Sequence, residues 1–273
     1  MGDIHYSAGS ELRRPARFLA EAVADLGLSG GIAWQLFRSN LRARYRRSWL
    51  GYAWLLLPAA GTAIICTLMR SSRVIAVGPT DLPYPLYVLI GVILWQAFVD
   101  GLNAPLDHLA AARQIITRSR VPHEAVILAG AIEIMLNSVV RLAALAIGCA
   151  LFAIPFRLSM LGIPVGLVAL SVLGLAFGML IAPLGMLYDD VRRTLVIASG
   201  LWFLLTPVVY PAPAKAILPF NPVTPVLQAT RSLVTSSDIC QRPFAVMAAT
   251  GIALVLGWLL YRVARRHLIA RLG

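Results

Sequence analysis

The sequence predicts an all-α, polytopic membrane protein with six transmembrane helices, an N-terminal amphipathic interface helix, and short re-entrant helices between helices five and six. Three observations predict it. Of 273 residues, 59% are hydrophobic and only 13% charged, too apolar a balance for an ordinary soluble domain. Several uncharged runs have the length of a membrane span. The basic residues stand in the short connections between those runs rather than on one face of a hydrophilic fold, so the net charge of +12 does not point to nucleic acid.

Residues 1–29 read as a cytoplasmic lead. Residues 1–25 carry no sustained apolar core, so no cleaved signal peptide is expected ahead of the first span. Over residues 30–48, Ala33, Phe37, Leu41 and Tyr45 recur at a spacing of four while Arg38, Arg42 and Arg46 follow the adjacent face. This predicts an amphipathic helix at the cytoplasmic interface, its apolar side in acyl chain and its arginines among headgroups. Packing on a neighbouring subunit is the alternative.

Residues 49–273 form one transmembrane domain, with spans at about 50–69, 84–104, 124–152, 160–182, 194–210 and 243–261. In the second span Tyr84, Tyr87, Gly91, Trp95 and Phe98 share one helical face. Such a stripe suits either helix packing or the lining of a sugar conduit. Residues 105–123 read as a cytoplasmic return.

The third span carries Glu133, Asn137 and Arg141, each four apart and so on one face. Charged groups at that depth need a partner, protein or water, so the row is either a structural network or a conduit lining. For the former, the expected link joins Glu133 to Arg141 through Asn137, or a partner helix answers both. Glycines at Gly162, Gly166, Gly174 and Gly178 in the fourth span allow close helix contact.

Residues 188–193 form a compact cytoplasmic turn before the fifth span. Pro211, Pro213, Pro219, Pro222 and Pro225 then break residues 211–242 into pieces too short to cross, which suits re-entrant helices. In this topology 17 basic residues fall inside and 6 outside, with Arg141 within a span, so both termini are placed in the cytoplasm.

The chain's only lysine, Lys215, lies between alanines, so no P-loop is present and nucleotide must be bound elsewhere. Cys66, Cys149 and Cys240 have no metal-ligand spacing, and no histidine or carboxylate pair suggests a catalytic centre. No catalytic residue, metal or cofactor is assigned to this chain.

Three stretches carry a family resemblance. Arg44-Tyr45-Arg46-Arg47-Ser48-Trp49-Leu50-Gly51-Tyr52-Ala53-Trp54, running into Pro58, resembles the entry to the first span in transmembrane subunits of type 2 ABC exporters, in the branch that exports polysaccharides and polyol phosphates. Arg118-Ser119-Arg120-Val121-Pro122-His123-Glu124 resembles the stretch ahead of the third. Tyr188-Asp189-Asp190-Val191-Arg192, with Thr206-Pro207-Val208-Val209-Tyr210 and Asn221-Pro222-Val223-Thr224-Pro225 up to Arg231, resembles the last block. Asp189 departs from the arginine expected before Asp190.

The resemblance implies a homodimeric permease in the bacterial inner membrane, exporting a polyprenyl-pyrophosphate-linked glycan of the O-antigen, capsule, teichoic-acid or galactan type. It implies two copies of a separate nucleotide-binding subunit that binds ATP and Mg. Arg44, Arg46, Arg47, Arg118 and Arg120 are candidates for the pyrophosphate headgroup, because guanidinium groups make permanently charged, bidentate phosphate contacts. Topology alone is the competing role for each. Tyr84, Tyr87, Trp95, Phe98, Glu133, Asn137 and Arg141 are conduit candidates; Ser48, Leu50, Gly51, Trp54, Pro58, Pro122, Glu124, Asp190, Pro207, Asn221 and Pro222 carry the structural motifs. Rival readings are a drug or small-lipid permease, a membrane enzyme acting on polyprenyl lipids, and a gradient-driven carrier coupled through Glu133 or Arg141.

Overall fold

A computed structural model describes residues 15–46, 48–75, 77–118, 122–211, 221–235 and 242–272. All regular structure among them is helical: α1 (Pro15–Tyr45), α2 (Ala53–Ser71), α3 (Tyr84–Arg118), α4 (His123–Leu151), a 3-10 turn (Leu158–Gly162), α5 (Ile163–Leu187), α6 (Asp189–Leu205), α7 (Val223–Thr235) and α8 (Arg242–Leu272). Four stretches are long and apolar enough to cross a membrane, within α2, α3, α4 and the Leu158–Leu187 segment. Met247–Val263 in α8 is a shorter apolar helix, and α6 has 17 residues.

The helices extend beyond several of the expected segments. Within the described residues the first helix runs Pro15–Tyr45, so residues 15–29 of the expected lead are helical. The helix that carries the second span does not stop at residue 104 but continues unbroken through Pro105 to Arg118, 35 residues in all, so residues 105–118 of the expected return are helical. The expected turn over residues 188–193 shrinks to Tyr188, whose extended backbone (φ −132°, ψ 116°) ends α5 and opens α6. Residue 189 instead starts α6, and the Asp190 carboxylate stands in its first turn, at the positive end of the helix dipole.

The Ser48 and Gly51 positions of the first motif have a local explanation. The Gly51 amide donates to Ser48 Oγ at 3.1 Å, and Gly51 takes a left-handed φ of 49° that a side chain would strain. Trp49 is fully exposed, and Leu50 and Trp54 are about half exposed, at the entry to α2. Pro58 lies inside α2, and its carbonyl accepts the Thr62 hydroxyl.

α3 is the central element. In its most apolar window 72% of residues are buried, against 11% in α2, so α2 is the peripheral span. Close approach of α3 and α5 depends on glycine: a Cβ on Gly101 would stand 2.1 Å from the Ser171 carbonyl oxygen, and one on Gly174 would stand 2.0 Å from that of Phe98. A Cβ on Gly178 would stand 2.4 Å from the Leu102 carbonyl oxygen, so the small-residue spacing in the fourth span does serve helix contact.

Two residues of the apolar stripe of α1, Ala33 and Phe37, are buried against Ala125 and Ala129 of α4. Ile32 and Trp34, on the neighbouring face, stay exposed.

Candidate functional site

The charged row on α4 meets its partners on α3. Arg141 Nη2 lies 2.8 Å from Asp100 Oδ2, and the Asn137 amide donates to the same oxygen at 3.2 Å. Glu133 Oε2 lies 3.4 Å from His108 Nε2. The interval from Asp100 to His108 equals that from Glu133 to Arg141, so two antiparallel helices present matched groups in register. Gly130 makes room for the His108 ring, since a Cβ there would come within 2.7 Å of it. Arg141 is only 1% exposed, and its Nε and Nη1 are buried without a hydrogen-bond partner among the described residues.

Of the two arrangements expected for this row, the structure has the second: a neighbouring helix answers the charges, and Asn137 does not bridge Glu133 to Arg141. Asp100 and His108 were missing from the sequence reading. Their position on one face of α3, eight residues apart, was the available signal.

A second polar cluster forms at the end of the bundle bearing Tyr84. Arg231 of α7 donates from Nη1 to the Pro207 carbonyl at 3.2 Å and from Nη2 to the Val208 carbonyl at 2.8 Å. Its guanidinium also stacks 3.8 Å from the Tyr87 ring centre. Burial lowers the Arg231 pKa to about 10, which leaves it charged at neutral pH. The Tyr84 and Tyr87 hydroxyls donate to the Val209 and Tyr210 carbonyls, both at 3.1 Å. Asn221 donates to Thr206 Oγ1 and accepts from the Val223 amide, opening α7 beside Pro222.

Thus Thr206–Tyr210, Asn221–Pro222 and Arg231 are parts of one lock. Pro207 ends the run of helix, and the carbonyls left there are taken by Arg231. Gly91 is the floor: a Cβ would meet Arg231 Nη2 and the Val208 oxygen, each at 2.2 Å.

Trp95 and Phe98 pack deeper, edge-on to Trp202 at 6.3 and 5.1 Å between ring centres, with Phe203 and Phe177 beside them. All four stripe aromatics, Tyr84, Tyr87, Trp95 and Phe98, are buried within the chain.

At the opposite end, Arg262 of α8 is 3% exposed and binds two carboxylates, Asp25 of α1 at 2.8 Å and Glu124 of α4 at 3.2 Å. The residue that sequence reading used only as a topology marker therefore ties three helices together. Glu124 stands one residue into α4, behind the extended cap residue Pro122, which accounts for both members of the second motif. Arg192 pairs with Asp107 at 2.8 Å between α6 and α3, whereas Asp190 makes only an exposed 3.7 Å contact with Arg193.

Arg46 is exposed at the end of α1. The side chains of Arg44 and Arg118, and all of Arg47 and Arg120, lie outside the described residues, as do 212–220 and 236–241 of the expected re-entrant region. Cys66 and Cys149 are free thiols packed at the edge of the core; Cys240 lies outside the described residues. Among the described residues, no group of three His, Cys, Asp or Glu comes together as metal ligands.

Four long apolar helices in an all-helical chain, with ion pairs buried between them, define a multi-pass membrane protein. No family model matches the chain. It is 23% identical over 245 residues to the O-antigen export system permease protein RfbA of Myxococcus xanthus, covering 86% of this chain and 92% of that one. Two Klebsiella pneumoniae proteins of the same name are 23% and 21% identical, each over 80% of this chain and 85% of their own. The resemblance drawn from the motifs, to the transmembrane subunit of a type 2 ABC exporter, is thereby borne out, and the likeness is to transport subunits rather than to enzymes.

Proposed function

We propose that this chain is the permease subunit of an ATP-driven exporter that moves a polyprenyl-pyrophosphate-linked polysaccharide, of the O-antigen, galactan, capsule or teichoic-acid type, out of the cytoplasm. The observation that carries the reading is likeness to O-antigen export permeases along four-fifths or more of the chain. In this reading the chain crosses the bacterial inner membrane six times, with both termini cytoplasmic. Residues 211–242 close the outer mouth as re-entrant helices.

Two copies enclose the conduit, and two copies of a separate nucleotide-binding subunit bind ATP and Mg. The headgroup is received by Arg44, Arg46, Arg47, Arg118 and Arg120 at the cytoplasmic surface, where fork-shaped guanidinium groups match phosphate oxygens. The exposed apolar faces of α2 and α6, which include Trp54, Leu57, Ile64, Ile197, Leu201 and Leu204, are available to lipid or to the second copy.

The experiment is affinity purification of the tagged chain from its native membranes, followed by reconstitution with the ABC ATPase that accompanies it. Lipid-linked glycan should accelerate ATP hydrolysis and appear on the far side of the vesicle. Recovery of no ATPase, or glycan transfer independent of ATP, would overturn the reading.

A further inference from the structure

Beside the Arg231 lock lies a polar recess of about 150 Å³, lined by Asp81, Leu82, Tyr87, Gln228, Arg231, Ser232 and Thr235. Three separate pieces of chain meet there: the loop before α3, the first turn of α3, and one face of α7. Its chemistry is unlike the rest of the surface, which is dominated by exposed apolar side chains.

The hydrogen-bonding groups of the recess divide into those already used and those still offered. Tyr87 gives its proton to the Tyr210 carbonyl and Thr235 to that of Ser232, so these two hydroxyls keep acceptor lone pairs, while Ser232 donates to the Ala229 carbonyl. Asp81 and Gln228 are both exposed, and neither side chain makes a hydrogen bond among the described residues. Between them they offer carboxylate and amide acceptors and an amide donor pair. Arg231, 7% exposed, forms the base with its charge held by two backbone carbonyls.

A ligand for this recess needs several hydroxyls, each able both to donate and to accept. An inorganic anion is disfavoured, because the Asp81 carboxylate lines the recess and both terminal amino groups of Arg231 already donate to backbone carbonyls. A purely apolar ligand would leave Asp81 and Gln228 desolvated without partners. Size gives the third constraint: a closed protein cavity of about 150 Å³ holds one benzene ring, so a recess of this volume, open on one side, seats part of a single pyranose ring and no longer stretch of glycan. Leu82 and the Tyr87 ring edge supply apolar wall for its C–H face.

We propose that this recess is a binding site for one hexose unit. For the origin of the sugar, though not for the chemistry of the recess, the proposal rests on the exporter reading above, and in that topology the recess lies on the outer side. A terminal sugar held there would steady the glycan as it leaves.

The test uses the purified full chain in detergent micelles and saturation-transfer NMR with free D-galactose, D-mannose, L-rhamnose and N-acetyl-D-glucosamine, with inorganic phosphate as competitor. At least one hexose should bind, and Asp81→Asn and Gln228→Leu should each weaken it about tenfold, as expected for loss of a hydrogen bond with a charged or buried partner. Both positions are exposed, and each variant is checked for a monodisperse, wild-type elution profile. Absence of hexose binding, binding unchanged in both variants, or displacement of the hexose by phosphate would overturn the proposal. Loss of ATP-dependent export in the reconstituted complex with hexose binding intact would overturn the exporter reading and not the site. Absent hexose binding with intact export would do the reverse.

Discussion

Arg141 of α4, buried to 1% exposure, points one amino group at the Asp100 carboxylate of α3 from 2.8 Å, and it does so between two helices long and apolar enough to cross a membrane. Such a pair is not an economical source of stability, since both ions are taken from water, but breaking it strands a charge. Asp100→Asn should therefore cost about 3–5 kcal/mol. The paired replacement Asp100→Leu with Arg141→Met should recover most of that loss. Thermal unfolding in detergent, followed by loss of the monodisperse peak, measures both; equal instability of the single and paired variants would contradict this account.

Gly101 and Gly174 set the distance between α3 and α5. Gly174→Val should prevent accumulation of folded protein, because the new side chain would have to share space with the Phe98 carbonyl. Gly200→Ala in α6, where a Cβ meets nothing within 4 Å, should match or exceed the parent by up to about 1 kcal/mol from helix propensity. Expression as a fluorescent fusion, read by size exclusion, separates the two.

The Arg231 lock distinguishes arginine from lysine. Arg231→Lys keeps the charge but cannot reach both the Pro207 and Val208 carbonyls while stacking on Tyr87. A loss of about 1–3 kcal/mol is expected, with unchanged membrane insertion. A lysine variant as stable as the parent would show that the fork is dispensable.

Arg262→Gln should loosen α1, because the same guanidinium holds Asp25 and Glu124. Trypsin should then cut faster among the arginines near the α1–α2 junction, and the double variant with Glu124→Gln should be cut more slowly than Arg262→Gln alone. Equal cleavage rates in the parent and Arg262→Gln would exclude this role.

Replacing Arg44, Arg46 and Arg47 together with glutamine should leave insertion intact and reduce glycan-stimulated ATP hydrolysis at least tenfold, on the order of one lost charge-assisted contact. Normal export from the triple variant would reduce these residues to topological markers.

The sequence made the membrane class legible because hydropathy and arginine placement act locally, run by run. It also marked Glu133, Asn137 and Arg141 as needing partners. It did not reveal that Asp100 and His108 answer them, since only the antiparallel register of α3 and α4 brings those residues together. Arg262 was harder still: its partner Glu124 is 138 residues away, and nothing near either residue announces the other. The helical continuation of α3 was hidden for a different reason. Pro105 and the charges after it look like a break, yet the helix runs through, with Pro105 packed against Gly178 of α5. The Thr206–Tyr210 and Asn221–Arg231 segments were recognisable as a family block, whereas their shared purpose, capping exposed carbonyls, emerged only in three dimensions.

The unbroken course of α3 has a mechanical consequence. At 1.5 Å of rise per residue, its 35 residues extend about 52 Å, while the hydrocarbon layer is about 30 Å thick. One end must protrude into water by roughly 20 Å unless the rod lies steeply aslant. A push delivered to the protruding end near Arg118 would then reach Tyr84 and the Arg231 clasp through a single stiff shaft, without passing through any loop.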